Sequence, residues 1–188
     1  MSQQRIGRVV ALALVMTVPY GIALGKKAQK AHEHGAVTLD IAIDGTTVAI
    51  TAEIPGDDAF GFEHPASNNA EKQAIKDALV TFRNKGTDLF QFPAEAQCTV
   101  KVANIKAAQE ASAMSEKKPQ GKDKKSEGEH ADVDASYTFT CQKSPAGGAL
   151  KLGLLKAFPR IKVVRVQLIS GANQTGMTVH GASEEIKL

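Results

Sequence analysis

The stretch VTLDIAIDGTTVAITAEI, residues 37–54, decides the fold. Apolar side chains alternate with polar or small ones on both sides of Asp44-Gly45, which is the pattern of two half-buried β-strands. Asp-Gly between two such runs predicts a two-residue type I′ turn, and therefore a β-hairpin. With these two residues as the loop, Ile41 faces Val48, so the apolar sides of both strands lie on one face of the sheet.

Beyond the hairpin, one helical period and several shorter alternating runs complete the fold. Apolar residues that recur every three to four positions predict a helix over 67–85, with Asn68 and Glu71 as a capping box and Gly86 as the stop. Alternating runs after the helix bring the expected total to about seven or eight strands. The clearest of these runs are 97–105 and 132–141. We therefore predict an α+β fold with mostly antiparallel sheet and one main helix.

The first 25 residues have the composition of a secretory signal peptide. Arg5 and Arg8 precede an apolar run, and small residues follow it. The run is too short for a helix that spans a bilayer, which needs about 20 residues. We expect cleavage between residues 25 and 31, which leaves a single α+β domain over 32–188.

The charge distribution argues against a nucleic-acid partner. The chain has 23 basic and 20 acidic residues, but residues 1–31 hold five of the basic residues and none of the acidic ones. The remainder therefore carries 18 against 20, a slight negative excess, whereas nucleic-acid-binding domains present a basic patch. Residues 106–129 are dense in Lys, Glu and Ser without apolar periodicity, and we predict a flexible charged loop there.

The two cysteines, Cys98 and Cys141, are predicted to form a disulfide. Each shares the side of its strand with apolar neighbours such as Val102 and Phe139, and an even number of cysteines in an exported chain favours a bridge. The bridge would close a loop of roughly 40 residues and add about 4 kcal/mol to the free energy of unfolding. Two buried free thiols are the alternative.

A first candidate metal site lies where the mature chain is expected to begin. His32 and His34 are separated by one residue, and on an extended chain both project to the same side. The hairpin register places position 34 opposite Pro55, which opens the loop PGDDAFGFEHP with Glu63 and His64. Neutral imidazole and carboxylate are zinc ligands, so these residues predict a metal site. The alternative is a pair of solvated histidines on a frayed end and an ordinary loop histidine.

A second candidate site is the run EHADVD. His130, Asp132 and Asp134 occupy alternate positions at the start of the strand 132–141, where side chains two apart are able to chelate a divalent ion. Solvated residues on the exposed face of a strand are the alternative. Imidazole ligands serve zinc, copper and nickel alike, so the donor types leave the choice of metal open.

Motifs typical of enzymes are missing from the sequence. It has no G-x-S-x-G elbow, no H-E-x-x-H helix and no phosphate-binding glycine loop. We therefore expect no catalytic residues and no enzymatic activity. A hydrolase whose Ser, His and Asp are brought together only by the fold is a distant alternative.

The order of short motifs along the chain resembles a known family. They are the sequences HEHG after the leader, GFEHP, LFQFP, YTFTC, LLKAFPRIKVVRVQLIS and the terminal GMTVHGASEEIKL. This order resembles the ZrgA-like family of periplasmic zinc-binding proteins, formerly a domain of unknown function. The resemblance implies a periplasmic protein of a Gram-negative bacterium that binds Zn²⁺ and takes part in zinc uptake, by buffering zinc or passing it to a component of an importer.

One segment departs from the family pattern. Family members carry a loop rich in histidine and aspartate between the two cysteine strands, whereas here 106–129 is rich in Lys, Glu and Ser, with His130 at its end. We therefore expect the histidines of HEHG and GFEHP to be the better ligands. The alternative function is a periplasmic protein-interaction module without a metal role, from which stoichiometric metal binding would distinguish a zinc protein.

Overall fold

The computed structural model describes residues 33–107, 110, 132–181 and 185–188. The predicted signal peptide and most of the predicted charged loop lie outside these residues. The elements, in chain order, are β1 Ala36–Asp44, β2 Thr47–Ile54, α1 Gly56–Phe60, α2 Asn69–Asn84, α3 Gly86–Leu89, β3 Phe90–Gln91, a 3₁₀ turn Ala94–Ala96, β4 Thr99–Ala107, β5 Val133–Thr140, β6 Ala149–Leu152, α4 Leu154–Ala157, β7 Val163–Ser170, β8 Asn173–His180 and β9 Glu185–Lys187.

The strands form two sheets. Six strands follow the order β4-β5-β2-β1-β7-β8, and three short ones follow the order β3-β6-β9. Within the described ranges only β1 and β7 pair in parallel, and the other neighbours are antiparallel. The predicted α+β class, with mostly antiparallel sheet and one main helix, is confirmed. β4 continues through Ala107, so the first two residues of the predicted charged loop belong to a strand.

The hairpin register differs from the predicted one by two residues. Ile41 pairs with Ile50 rather than with Val48, and the loop is Gly45-Thr46 rather than Asp44-Gly45. Gly45 has a φ of 57°, whereas Thr46 is not among the described residues with positive φ. This combination fits a type II′ turn, in which only the first loop residue needs a positive φ. Because side chains alternate with a period of two, the shift leaves the same residues on the apolar face.

The main helix α2 covers the inner face of the six-stranded sheet through its own apolar side. Its buried residues are Ile75, Ala78, Leu79 and Phe82. The Phe82 ring stacks on Phe158 with centroids 4.4 Å apart, and the Phe82 carbonyl accepts a 2.7 Å hydrogen bond from the buried Tyr137 hydroxyl of β5. These contacts fix the end of α2 against the sheet.

The start of α2 is capped much as predicted. Asn68 Oδ1 accepts from the Glu71 N–H at 2.9 Å, which is the first arm of a capping box. The Glu71 carboxylate reaches Ser67 instead of Asn68, accepting from its N–H at 2.6 Å and its hydroxyl at 2.9 Å. At the other end Lys85 is the C-cap, and Gly86 opens α3 rather than adopting a left-handed conformation.

The predicted disulfide is present. Cys98 and Cys141, 43 positions apart, are bonded just before β4 and just after β5. A β-bulge between Val100 and Val102 reverses the alternation of β4, so Val102 is 53% exposed although simple alternation places it beside Cys98. The prediction for Val102 is therefore wrong, while the bridge itself is confirmed.

Candidate functional site

His34 lies in a tight turn at the start of the domain. The Ala36 N–H donates to the Glu33 carbonyl at 3.0 Å, which closes a four-residue turn, and Gly35 has a φ of 80°. A type II turn requires this positive φ at its third residue, and glycine adopts it without strain. β1 begins only at Ala36, after this turn, so the expectation that an extended chain runs through His34 is wrong. His32 lies outside the described residues.

Backbone hydrogen bonds on both sides of Gly35 anchor the turn. Its N–H donates to both carboxylate oxygens of Asp58, at 2.9 and 3.0 Å. Its carbonyl accepts from the N–H groups of Lys162 and Val163, at 2.8 and 2.9 Å. The turn that carries His34 is thus tied to α1 on one side and to β7 on the other.

Asp58 is the residue on which this anchoring depends. It is only 2% exposed, and it lies in the first turn of α1, directly after the hairpin. Burial raises the pKa of the Asp58 carboxyl, while the Gly35 N–H acts in the opposite direction and the neighbouring Asp57 carboxylate adds to the increase. Asp58 was not among the residues predicted from the sequence, although the pair Asp57-Asp58 directly after a strand was a visible signal.

Two carboxylates lie near one nitrogen of the His34 imidazole. His34 Nδ1 lies 3.6 Å from Asp57 Oδ2 and 3.9 Å from Glu63 Oε1. The His34 side chain is 64% exposed, whereas those of Asp57 and Glu63 are 26% and 29% exposed.

Two arginines balance the acidic residues of this region. Arg160 Nη1 lies 3.4 and 3.5 Å from the two carboxylate oxygens of Asp57. Arg165, on β7, pairs with Glu33 at the beginning of the turn. Asp57 and Glu33 therefore already have cationic neighbours.

His64 is held by contacts within its own loop. Its ring stacks on Phe62 with centroids 5.0 Å apart, and Phe62 in turn packs on Phe60 at 5.2 Å. His64 Nδ1 lies 3.1 Å from the Pro65 carbonyl oxygen, a contact in which Nδ1 carries the proton. In the neutral ring the lone pair is then on Nε2, the nitrogen that would bind a metal.

The structure describes two residues of the second candidate site. Asp134 is exposed on the outer face of the six-stranded sheet, opposite Glu53 of β2 and Lys106 of β4. Asp132 is half-buried just before β5. His130 lies outside the described residues, so the predicted grouping of the three stays a prediction.

The comparison with known families agrees with the resemblance. Residues 31–188 match the family described as ZrgA family zinc uptake protein. The chain belongs to this family. Its role is therefore related to zinc uptake. A search of curated proteins finds no match. Among the described helices of this ZrgA family member, none combines the length and apolarity needed to cross a bilayer.

The donors around His34 fit part of a zinc site. Two ligand atoms at about 2.0–2.2 Å from a tetrahedral zinc ion lie about 3.4 Å from each other. The separations of 3.6 and 3.9 Å from His34 to Asp57 and Glu63 are close to that value. In the described part of the chain, no group of three or more His, Cys, Asp or Glu side chains is arranged to hold an ion. His34 Nδ1 thus belongs to both donor pairs, and a zinc site needs a further rearrangement or a further ligand.

Proposed function

We propose that this protein is a periplasmic zinc-binding accessory protein, without enzymatic activity, that buffers zinc or delivers it to a component of an importer. Its membership of a zinc uptake family supports the choice of metal and process. The observation that carries the proposal is the His34 imidazole, whose Nδ1 lies 3.6 Å from an Asp57 carboxylate oxygen and 3.9 Å from a Glu63 carboxylate oxygen. This is the donor chemistry that zinc prefers when thiolates are unavailable, and both cysteines are in the disulfide.

In this proposal His34, Asp57 and Glu63 supply the first ligands. His32, two positions before His34, would add a second imidazole, and His64 is the next candidate through its Nε2 atom. His130, Asp132 and Asp134 would form an auxiliary site. A protein that passes zinc on must release it, and an exposed site with few ligands exchanges metal more readily than a closed four-ligand site. The 64% exposure of the His34 side chain is consistent with that requirement.

Periplasmic location is part of the same proposal. The leader-like residues 1–25 support it, as does the start of the family match at residue 31, at the end of the expected cleavage range. Expression of the full chain in a Gram-negative host, followed by mass spectrometry of the protein released from the periplasm, tests it. We expect a mature chain that begins between residues 26 and 32. Recovery of the uncleaved chain from the cytoplasm alone would contradict the location.

The test of the function is a zinc titration of the tag-free mature protein against a chromophoric chelator. We expect one zinc per chain with a dissociation constant of about micromolar or tighter. His34→Ala should weaken binding by at least about tenfold, because it removes the ligand shared by both donor pairs. His180→Ala is the matched control, since His180 is an exposed histidine at the end of β8.

A different metal site and a function without metal would each give a different result in the zinc titration. Equal binding by the parent and His34→Ala would move the metal to another site, with His130, Asp132 and Asp134 the next to be tested. No zinc binding by the parent would overturn the proposal and favour an interaction module without a metal role.

A further inference from the structure

We propose that Arg160 is a positioning residue that competes with zinc for the Asp57 carboxylate and so keeps the zinc affinity low enough for release. The inference rests on the proposed function of the His34 site. It starts from one shared atom: Asp57 Oδ2 lies 3.6 Å from His34 Nδ1 and 3.5 Å from Arg160 Nη1. The same oxygen therefore faces a metal ligand on one side and a permanent cation on the other.

Arg160 lies beside two glycines of this region. Its guanidinium lies across Gly61, where an added Cβ would be 3.4 Å from Nη2 and 3.6 Å from Cζ. Its own carbonyl oxygen lies 3.6 Å from the position of a Cβ on Gly35, the residue after His34. Arg160 thus approaches the site with its backbone beside the His34 turn and with its side chain at the end of α1.

The pair between Arg160 and Asp57 is loose. Both oxygens lie 3.4–3.5 Å from the same nitrogen, whereas strong charge-assisted hydrogen bonds measure about 2.7–2.9 Å. The arginine side chain is 57% exposed, so solvent screens the attraction. A loose, screened pair neutralises Asp57 in the metal-free protein and is still weak enough for a metal to displace it.

Zinc and Arg160 also repel each other. A zinc ion about 2.1 Å from Asp57 Oδ2 would lie at most about 5.6 Å from Arg160 Nη1, because that oxygen and that nitrogen are 3.5 Å apart. The doubly charged ion and the singly charged guanidinium would then repel each other. Either the Arg160 side chain moves away when zinc binds, or zinc binds against this repulsion. In either case Arg160 lowers the affinity. We expect its removal to tighten zinc binding by about two- to tenfold.

The test measures two quantities on the mature protein: the zinc affinity, by competition with a chelator, and the stability of the metal-free protein, by urea unfolding. Arg160→Gln should bind zinc more tightly and unfold at a lower urea concentration, because the carboxylates around His34 lose a counter-ion. A purely structural residue would lower both quantities. Arg160→Lys keeps the charge and should stay close to wild type in affinity.

Lys151→Gln is the matched control. It also removes one positive charge, from a surface pair with Glu185 at 3.5 Å in the three-stranded sheet, and should leave the zinc affinity unchanged. In an Asp57→Asn background, the Arg160→Gln substitution should change the affinity less than it does in the wild type. Equal effects in both backgrounds would contradict competition for Asp57.

The outcomes distinguish a failure of the inference about Arg160 from a failure of the proposed zinc function. If the wild type binds zinc and Arg160→Gln binds it equally or more weakly, the inference is overturned and the zinc function stands. If the wild type does not bind zinc, both are overturned. Tighter binding by Arg160→Gln with unchanged binding by Lys151→Gln supports the inference.

Discussion

The two ends of the central hairpin are stabilised by different means. At the end with the loop Gly45-Thr46, the Cys141 N–H donates to the Thr46 carbonyl at 2.8 Å, and the bond to Cys98 closes the edge covalently. At the opposite end, the turn that carries His34 is anchored by the buried Asp58 carboxylate and by backbone contacts with β7. The contacts named at the first end involve no charged group, whereas those at the second include the Asp58 carboxylate.

Because of this difference, we expect the disulfide end to affect stability and the His34 end to affect zinc binding as well. The disulfide end adjoins a cluster of aromatic rings, in which Phe139 packs on Phe92 at 5.0 Å and on Phe90 at 6.3 Å. The other end has the carboxylates, the imidazole and the arginines of the candidate site. If the two ends act independently, changes at the disulfide will alter unfolding but not zinc binding, and changes around Asp58 will alter both.

The largest expected effect on stability comes from removing the disulfide. Cys98→Ala/Cys141→Ala should lower the free energy of unfolding by about 4 kcal/mol, because the 43-residue separation no longer constrains the unfolded chain. Urea unfolding measures this loss. The zinc affinity of the folded variant should stay within about twofold of wild type, and a fall of about tenfold or more would show that the two ends are coupled.

Removing the carboxylate under the His34 turn should have the next largest effect. Asp58→Ala leaves the Gly35 N–H without its buried acceptor, so we expect a loss of about 1–3 kcal/mol in urea unfolding together with weaker zinc binding. Asp57→Asn is the control at the adjacent, more exposed carboxylate. It should weaken zinc binding with a smaller change in stability. Unchanged zinc binding by Asp58→Ala would mean that the turn needs no support from α1.

A smaller effect is expected from the hydrogen bond between Tyr137 and the end of α2. Tyr137→Phe removes the donor to the buried Phe82 carbonyl and should lower the free energy of unfolding by about 1 kcal/mol. The zinc affinity should not change, because the Tyr137 ring packs near Phe139 in the aromatic cluster at the disulfide end, and His34 lies at the opposite end. Chemical unfolding and a zinc titration of the same preparation give both values.

The smallest expected effect is a pH dependence at the start of α2. The hydrogen bond from the Ser67 N–H holds the pKa of Glu71 below its usual value. A carboxyl whose pKa is lowered by folding stabilises the folded state above its unfolded pKa, about 4.3, and this contribution disappears as the pH falls through the folded pKa. Glu71→Gln should therefore unfold more easily than wild type near about pH 6, and the difference should shrink as the pH falls through the folded pKa of Glu71. A difference that grows on acidification would contradict the sign.

Local patterns predicted most of the fold. Alternation identified the strands of the hairpin, the helical period identified α2 with its cap at Asn68, and the cysteine positions predicted the disulfide. The register of the hairpin was wrong by two residues because a shift of two keeps every side chain on the same face. The parallel pairing of β1 with β7 joins residues far apart in the chain, and no local pattern carries that information.

The candidate site was predicted only in part. The sequence grouped His34 with His32 and His64 in one metal site, with Glu63 as an extra ligand. His34 Nδ1 lies 3.9 Å from Glu63 Oε1, and the joint metal site stays a prediction. The role of Asp58 was missed, because its burial depends on a contact with Gly35, 23 residues earlier. A buried carboxylate and an exposed one look identical in a sequence. The contact between Arg160 and Asp57 spans 103 positions and was equally invisible.

The central claim is that zinc binds at His34. The most direct measurement is anomalous diffraction from crystals of the mature protein loaded with zinc. We expect an anomalous peak within about 2.2 Å of a ring nitrogen of His34 and of a carboxylate oxygen of Asp57 or Glu63. A zinc peak beside Asp132 and Asp134, with none at His34, would contradict the claim.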